Sequence, residues 1–512
     1  MNLNSTQVTN KVKKKKLNGT QLDIIFIHAV LWILFLVAIG FNTWHWMKGD
    51  VTLKIINIEI TRVNLSLGFR IDFLSTLIFL MVTLLGATIG RYSLRYLNGE
   101  QRQSYFFHYL LFTVLSVSLL VLSSNLLMFF IMWLFTSLGL HKLLLYCPQR
   151  KGSISAARKK FIVSRLGDIA LIFAIGFTYR VFGTFEFSEL FQATHLLSEK
   201  TPETSILSYI GLLFVLGAIT KSAQFPFHFW LPETMEAPTP VSALMHAGII
   251  NAGGFLIIRL SPILQHADIA HLILSGIGSV TAVFGALVMI TQNNIKQKLA
   301  YSTISQMGMM MFSCGLGAFS LALFHIVAHS FYKAHAFLTT GFLVEEAKKV
   351  KFIHTRPQEK FLVIASILGF ALIVLGKSLA GGVYVAYFTY TAVLLLGLTQ
   401  NMSLSGKQFH SMGSQFLGHL AIIFMGAATL CGFIEYILLH KLGGLVPRVW
   451  GTNWGHSHQW MTCFVTYFIF VGGLWCTSLL IDPKSPILHK LYVYFWNGGY
   501  FSERTSWLFD RI

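Results

Sequence analysis

The sequence predicts an all-α, polytopic membrane protein of about fourteen transmembrane helices. Three observations predict it. Hydrophobic residues make up 54% and charged residues 12% of the 512 positions, at a mean hydropathy of +0.64, where a soluble chain carries about 25% charged residues. Apolar runs of roughly 18 or more residues, each enough to cross a bilayer, recur along the whole length. The basic residues gather on alternate loops. The formal net charge of +19 therefore reads as the lysine and arginine excess of cytoplasmic loops rather than as a nucleic-acid surface. Cys147, Cys314, Cys431, Cys463 and Cys476 lie singly, without CxxC spacing, which gives neither a disulfide framework nor a structural zinc site.

Residues 1–20 are polar and carry Lys11, Lys13, Lys14, Lys15 and Lys16. A basic start before an apolar run is also the pattern of a signal peptide. Here the run is long and no convincing small-residue cleavage site follows, so the expectation is a retained first span with a cytoplasmic N-terminus. Spans are expected at 22–41, 72–90, 105–122, 124–146, 161–182, 205–224, 239–260, 268–291, 300–317, 319–343, 360–376, 381–399, 416–440 and 461–481. With that topology the loops at 91–104, 147–160, 292–298, 344–360 and 482–512 lie inside. They hold Arg95, Arg102, Arg150, Lys151, Lys159, Lys160, Lys296, Lys298, Lys348 and Lys490, among others. The loop at 183–204 falls outside and is acidic, with Glu186, Glu189, Glu199 and Glu203 against Lys200.

The stretch from Gly217 to Arg259 organises the chain. An apolar segment ends on Lys221, a break with Pro226, Pro232, Pro238 and Pro240 follows, and the next span carries His246. Proline ends helices, and irregular backbone at membrane depth is tolerated only inside protein or beside a water-filled cavity. A lysine inside a span marks an ion or proton path by default, against the alternative that it snorkels to the interface. His246 taken alone reads more often as a packing histidine than as a proton carrier. A weak internal repeat places Lys377, in Leu375-Gly376-Lys377-Ser378, in the same context as Lys221. Paired interrupted segments point to the transport sites of repeat-built transporters.

Further along, His325, His329 and Lys333 are spaced by four residues and share one helix face, covering roughly 12 Å of depth. Histidine titrates near neutral pH, and a lysine withdrawn from water holds its proton less firmly, so the three can form a proton wire. The alternative is a polar packing stripe between helices. Arg165 and Asp168, three residues apart, read as an ion pair on one face. Ala371 to Ser378 falls short of a phosphate-binding loop, with alanine where glycine is required. No dinucleotide fingerprint, carboxylate pair or metal-ligand cluster is legible, so no cofactor and no catalytic site of its own is expected on this chain.

The motif GxxxKSAQxPxxxWLPxxMxxPTPVSALxHA, at Gly217 to Ala247, resembles the signature of the antiporter-like, proton-translocating subunits of respiratory complex I and of Mrp antiporters. The segment from His325 to Gly341 resembles the family's HxxxHxxxKAxxFLxxG element, the RxGD at Arg165 to Asp168 is shared with it, and Asn294-x-Lys296-x-x-Leu299-Ala-Tyr-Ser-Thr resembles its DxKxxLAYST, with Asn294 in place of the acid. The resemblance covers roughly residues 70–400. It implies two antiporter-like repeats with broken helices, placed at 105–260 and 261–400, between the first helices at 21–104 and the C-terminal helices at 401–481. It also implies a proton or sodium path through Lys221, His246, His325, His329, Lys333 and Lys377, tuned by Arg165 and Asp168.

Two departures bear on the branch. Where the family has a tryptophan–glutamate pair, this chain has Trp133-Leu134, so the acid expected beside Lys221 is missing. His141 and Lys142 stand further along the same span. The sequence given also ends without the long lateral helix of the complex I subunits. A short subunit with the aromatic tail 482–512 resembles the membrane subunits of DAB inorganic-carbon accumulation complexes. That likeness implies a bacterial inner-membrane location and a zinc-containing, carbonic-anhydrase-like (DabA-like) cytoplasmic partner, with the zinc on the partner. Tyr492, Tyr494, Phe495, Trp496, Tyr500, Phe501 and Trp507 are the candidate anchors for it. The runner-up is a pumping subunit of complex I or of an Mrp-type antiporter.

Overall fold

A computed structural model describes residues 19–60, 63–196, 203–340, 456–481 and 485–509, with short pieces between 363 and 393. The helices are α1 (Gly19–Lys48), α2 (Phe73–Tyr96), α3 (Gln103–Val121), α4 (Leu126–Leu144), α5 (Lys151–Phe182), α6 (Phe187–Leu196), α7 (Glu203–Lys221), α8 (Trp230–Glu233), α9 (Thr239–Ala247), α10 (Ala252–Arg259), α11 (Ser261–Leu264), α12 (Asp268–Thr291), α13 (Ile295–Gly315) and α14 (Phe319–Leu338), then α15 (His456–Ile481), α16 (Pro486–Trp496) and α17 (Phe501–Phe509). Among the described residues, eight helical stretches are long and apolar enough to cross a membrane. Each expected span from 22–41 through 319–343, and the one at 461–481, coincides with a helix or a broken pair of helices. The spans at 360–376, 381–399 and 416–440 fall wholly or largely outside the described residues, as does Lys377.

One element lies beyond the helical reading. β1 (Val51–Ile60) and β2 (Val63–Ile71) form an antiparallel hairpin between α1 and α2, with Val51 opposite Ile71 and Ile60 opposite Val63. Its aliphatic and β-branched residues suit a pleated surface. Asp72 leaves the hairpin and caps α2 by accepting from the Ser75 amide at 2.8 Å. The same carboxylate is gripped by Arg259 at the end of α10 and accepts from Arg70 Nε at 2.7 Å. Asn125 caps α4 in the same way, through the Met128 amide.

Two helix starts differ from expectation. α5 begins at Lys151 rather than near 161, so Lys159 and Lys160 belong to a helix and not to a loop. α13 begins at Ile295, with Asn294 as its N-cap and Lys296 in its first turn. Both spans run on into basic segments whose charges mask the helical pattern. α12 and α13 pack backbone to backbone. A side chain on Gly278 or Gly308 would collide with main-chain atoms of the facing helix, as would one on Gly285 or Gly315. Small residues that let helices approach this closely are the usual device in lipid, where apolar side chains gain nothing by leaving the bilayer.

The span at 239–260 is broken. α9 stops at Gly248, a 3₁₀ turn runs over Ile249–Asn251, and α10 resumes. Asn251 Nδ2 covers the gap by donating to the Ala247 carbonyl at 2.9 Å and to Ser330 Oγ of α14 at 2.8 Å. A mid-helix 3₁₀ turn is a frequent mark of a functional hinge.

Candidate functional site

The first cluster lies where α7 ends. Lys221 is 5% exposed. Its Nζ donates to Ser137 Oγ at 2.8 Å and to the Trp133 carbonyl at 3.3 Å, both on α4. It also sits 4.5 Å from the centre of the Trp133 ring, a cation–π contact worth about 2 kcal/mol when desolvated. Trp133 Nε1 donates to Asp168 Oδ1 at 3.0 Å, and Arg165 Nη2 pairs with Asp168 Oδ2 at 2.7 Å. Asp168 is the carboxylate within electrostatic reach of Lys221. The acid absent at Leu134 is thus answered from α5, through the indole. Arg165 itself lies at the surface, 41% exposed, with its guanidinium 4.9 Å from the Phe161 ring centre.

A second lysine enters this cluster unannounced. Lys160 is 2% exposed, and its Nζ donates to the Ser137 carbonyl at 2.7 Å. It looked like one more topology lysine because it follows Lys159 in a basic run. The signal that finds it is the turn-by-turn series Lys160, Ser164 and Asp168, all buried on one face of α5. His141, one turn beyond Ser137 on α4, is the next titratable neighbour of Lys160.

The second cluster lies between α9 and α14. His246 is fully buried, its ring stacked 4.5 Å from that of Phe337, and neither ring nitrogen has a hydrogen-bond partner. Lys333 is fully buried, and its Nζ donates to the Leu299 carbonyl at 3.2 Å. The His325 and His329 rings stack with centres 6.0 Å apart. Both nitrogens of His329 and Nε2 of His325 are also unpartnered. His325, Lys333 and His246 all lie within electrostatic reach of His329. The one-face spacing read from the sequence therefore places three groups in a row, and the structure adds His246 from α9.

Lys221 and His246, neighbours in one motif, fall into different clusters. The broken span joins them. Ser222 Oγ, next to Lys221, donates to the Ile250 carbonyl in the 3₁₀ turn at 2.6 Å, and Asn251 reaches Ser330, next to His329. Ser137, Lys160 and Asn251 are the members of this line that the sequence did not reveal. Among the described residues no three His, Cys, Asp or Glu side chains converge as a metal site.

Next to Lys160 on α5, an ion pair ties the break to the tail. Lys159 Nζ pairs with Glu233 Oε1 at 2.6 Å and donates to the Ser502 carbonyl of α17 at 3.2 Å. Ser502 Oγ also donates to Glu233. Phe501 packs against Phe225 and His228 of the break and against Phe284 of α12, with ring centres 5.2, 5.1 and 6.0 Å away. Phe495 is buried on Phe284. The tail is thus folded onto its own chain. Of the aromatics expected to anchor a partner, Phe495 and Phe501 are spent on that contact. Tyr494 and Trp496 remain exposed. The side chain of Trp507 lies outside the described residues.

Comparison with known proteins gives the family and the fold. Residues 123–417 match the model of the NADH:quinone oxidoreductase/Mrp antiporter transmembrane family, and residues 58–107 match the N-terminus of complex I chain 5. The chain is 35% identical over 457 residues to a probable inorganic carbon transporter subunit DabB of Hydrogenovibrio crunogenus, covering 88% of this chain and 85% of that one. It is 40% identical over 318 residues to DabB2 of Halothiobacillus neapolitanus, covering 62% of this chain and 57% of that one, so it spans little more than half of that relative. In fold it is similar to a chain of the Mrp complex from Dietzia sp., at a TM-score of 0.60 and 22% identity, covering 95% of this chain and 60% of that one.

Proposed function

Because the chain belongs to the NADH:quinone oxidoreductase/Mrp antiporter membrane family, and within it to the DabB group of inorganic-carbon transporter subunits, we propose that it conducts protons, or sodium ions, to energise inorganic-carbon accumulation. It works in a heteromeric complex in the bacterial inner membrane. Its own residues carry the cation path. A zinc-containing, DabA-like cytoplasmic partner converts CO2 to bicarbonate. The observation that carries this reading is the buried line of lysines and histidines. Among the described residues, Lys221, Lys160 and Lys333 make their hydrogen bonds to backbone carbonyls and one serine hydroxyl, with no carboxylate directly on any of them, and His246 and His329 make none. Ionisable groups kept in this state inside a membrane are expensive, and ion movement is the use that accounts for them.

Lys221, Lys160 and Asp168 form the first exchange site, with Trp133 holding Lys221 and Asp168 in fixed relation. His246, His329, Lys333 and His325 form the second. The Ser222–Ile250 and Asn251–Ser330 bonds couple the two, so a change of charge at one is felt by the hinge of the other. Lys377 is proposed as the second-half counterpart of Lys221. A second reading, a pumping subunit of complex I type, draws on the chain 5 match at residues 58–107.

Affinity purification of the intact complex, with metal analysis, separates the two. A co-purifying zinc protein and protonophore-sensitive bicarbonate accumulation are expected. A set of quinone-reducing respiratory subunits in its place would overturn the carbon-uptake reading in favour of the second.

A further inference from the structure

Ser137 receives two buried lysines, Lys221 on its hydroxyl and Lys160 on its carbonyl, at 2.8 and 2.7 Å. Around them stand three cationic side chains, Lys160, Lys221 and Arg165, and one carboxylate, Asp168. Arg165 does not give up its proton, and it is ion-paired with Asp168. That pair is neutral, which among the described residues leaves two amines and no further acid beside them. Two ammonium groups held around one serine in a desolvated site repel strongly, and such like-charge pairs share protons rather than both ionise. Lys160 has one further titratable neighbour, His141, one turn along α4. His141 is half-buried, and its Nδ1 has no hydrogen-bond partner.

We infer that Lys160 and Lys221 form a lysine pair that holds one excess proton across Ser137, and that Lys160 passes this proton between Lys221 and His141. In each handover an N–H bond breaks on one nitrogen as one forms on the other: transfer between Lys221 and Lys160 keeps one positive charge on the pair, and transfer on to His141 moves that charge to the imidazole and leaves the pair neutral until Lys221 is protonated again. Lys160 is then a member of the conduction path in its own right, and His141 is its outlet toward the end of the bundle where Lys159 holds Glu233.

The inference rests on the reading of this chain as a proton conductor. The test uses the full complex in inside-out membrane vesicles, with proton flux followed by a pH-sensitive dye at matched protein levels. Lys160→Met should slow flux about a hundredfold, the scale of losing one positioned proton-transfer group. Lys160→Arg, which keeps the charge and cannot release it, should be as slow. Wild-type flux in Lys160→Arg would make Lys160 a fixed charge, and wild-type flux in Lys160→Met would make it a packed surface lysine turned inward. Either result overturns the pair. Should Lys160→Met fail to accumulate, Ser137→Ala removes only the hydroxyl bridge and should still slow flux severalfold, a wild-type rate again overturning the proposal. A second readout does not depend on conduction. On acidification below neutral pH the melting temperature of the wild-type complex should fall more steeply than that of Lys160→Met, because only the wild type must charge two facing amines. Equal slopes refute the pair. Unchanged carbon accumulation in Lys221→Met, alongside a slope difference, would instead overturn the conductor reading and leave the shared proton standing.

Discussion

A lysine inside a bilayer must reach water, meet an acid or find a surrogate for one. Lys221 does the third, with an indole face, a hydroxyl and a carbonyl, and its carboxylate one residue removed. Lys221→Ala is therefore expected to abolish cation-driven uptake while the complex still assembles. Full uptake in a well-expressed variant would remove Lys221 from the path. His329 is the middle of the α14 row and has two unpartnered nitrogens. His329→Gln keeps a polar side chain and removes titration near neutral pH. Uptake should fall severely and lose its pH profile, and normal transport would make the row a packing stripe. Lys221, His246 and the α14 row were legible in the sequence because each stands out against an apolar background. Lys160 was hidden for the opposite reason: it stands beside Lys159, where a charge looks ordinary. Ser137 and Asn251 were hidden because serine and asparagine in a span are common, and only their partners make them members of the site.

At the scale of elements, the break after Lys221 was legible from its prolines, while the 3₁₀ turn at Ile249–Asn251 was not, since no proline marks it. The hairpin at 51–71 lies within the segment expected to hold only the first helices, although VTLKIINIEI carries the β-branched residues of a strand. The close contact of α12 and α13 gives a prediction of its own. Gly308→Val places a branched side chain against the Ala282 backbone, and such overpacking costs about 1–3 kcal/mol. The purified complex should melt at a lower temperature, and an unchanged melting point would mean that the two helices separate freely. The hairpin end offers a second. Asp72 is buried against Arg259 and Arg70, and removing one partner of a buried pair costs about 3–5 kcal/mol. Asp72→Asn should lower the yield and melting temperature of the complex more than a substitution of the exposed Glu100.

For the molecule as a whole, composition was enough to give the class, because bilayer thickness dictates helix length, and the charge bias gives an expected orientation, because loop charge dictates sidedness. What they missed is how the tail is used. Residues 487–512 read as a free aromatic anchor, whereas α16 and α17 lie across the basic end of the bundle, buried at Phe495 and Phe501, with Ile487, Val493 and Trp496 turned outward. Deletion of residues 487–512 should release the cytoplasmic partner while the spans still insert, as read by fractionation. A partner that stays fully membrane-bound would take the tail out of the interface.

Lys159 and Lys160 are consecutive residues, about 100° apart around one helix, and they hold different things. The first grips Glu233 and the Ser502 carbonyl, while the second sits on Ser137 beside Lys221. One peptide unit thus stands as a clutch plate between the tail and the Ser137 cluster. If that cluster moves protons as proposed, a roll of α5 that loosens Lys159 from Glu233 would also shift Lys160 on Ser137, and a change of charge at Lys160 would be felt at the tail.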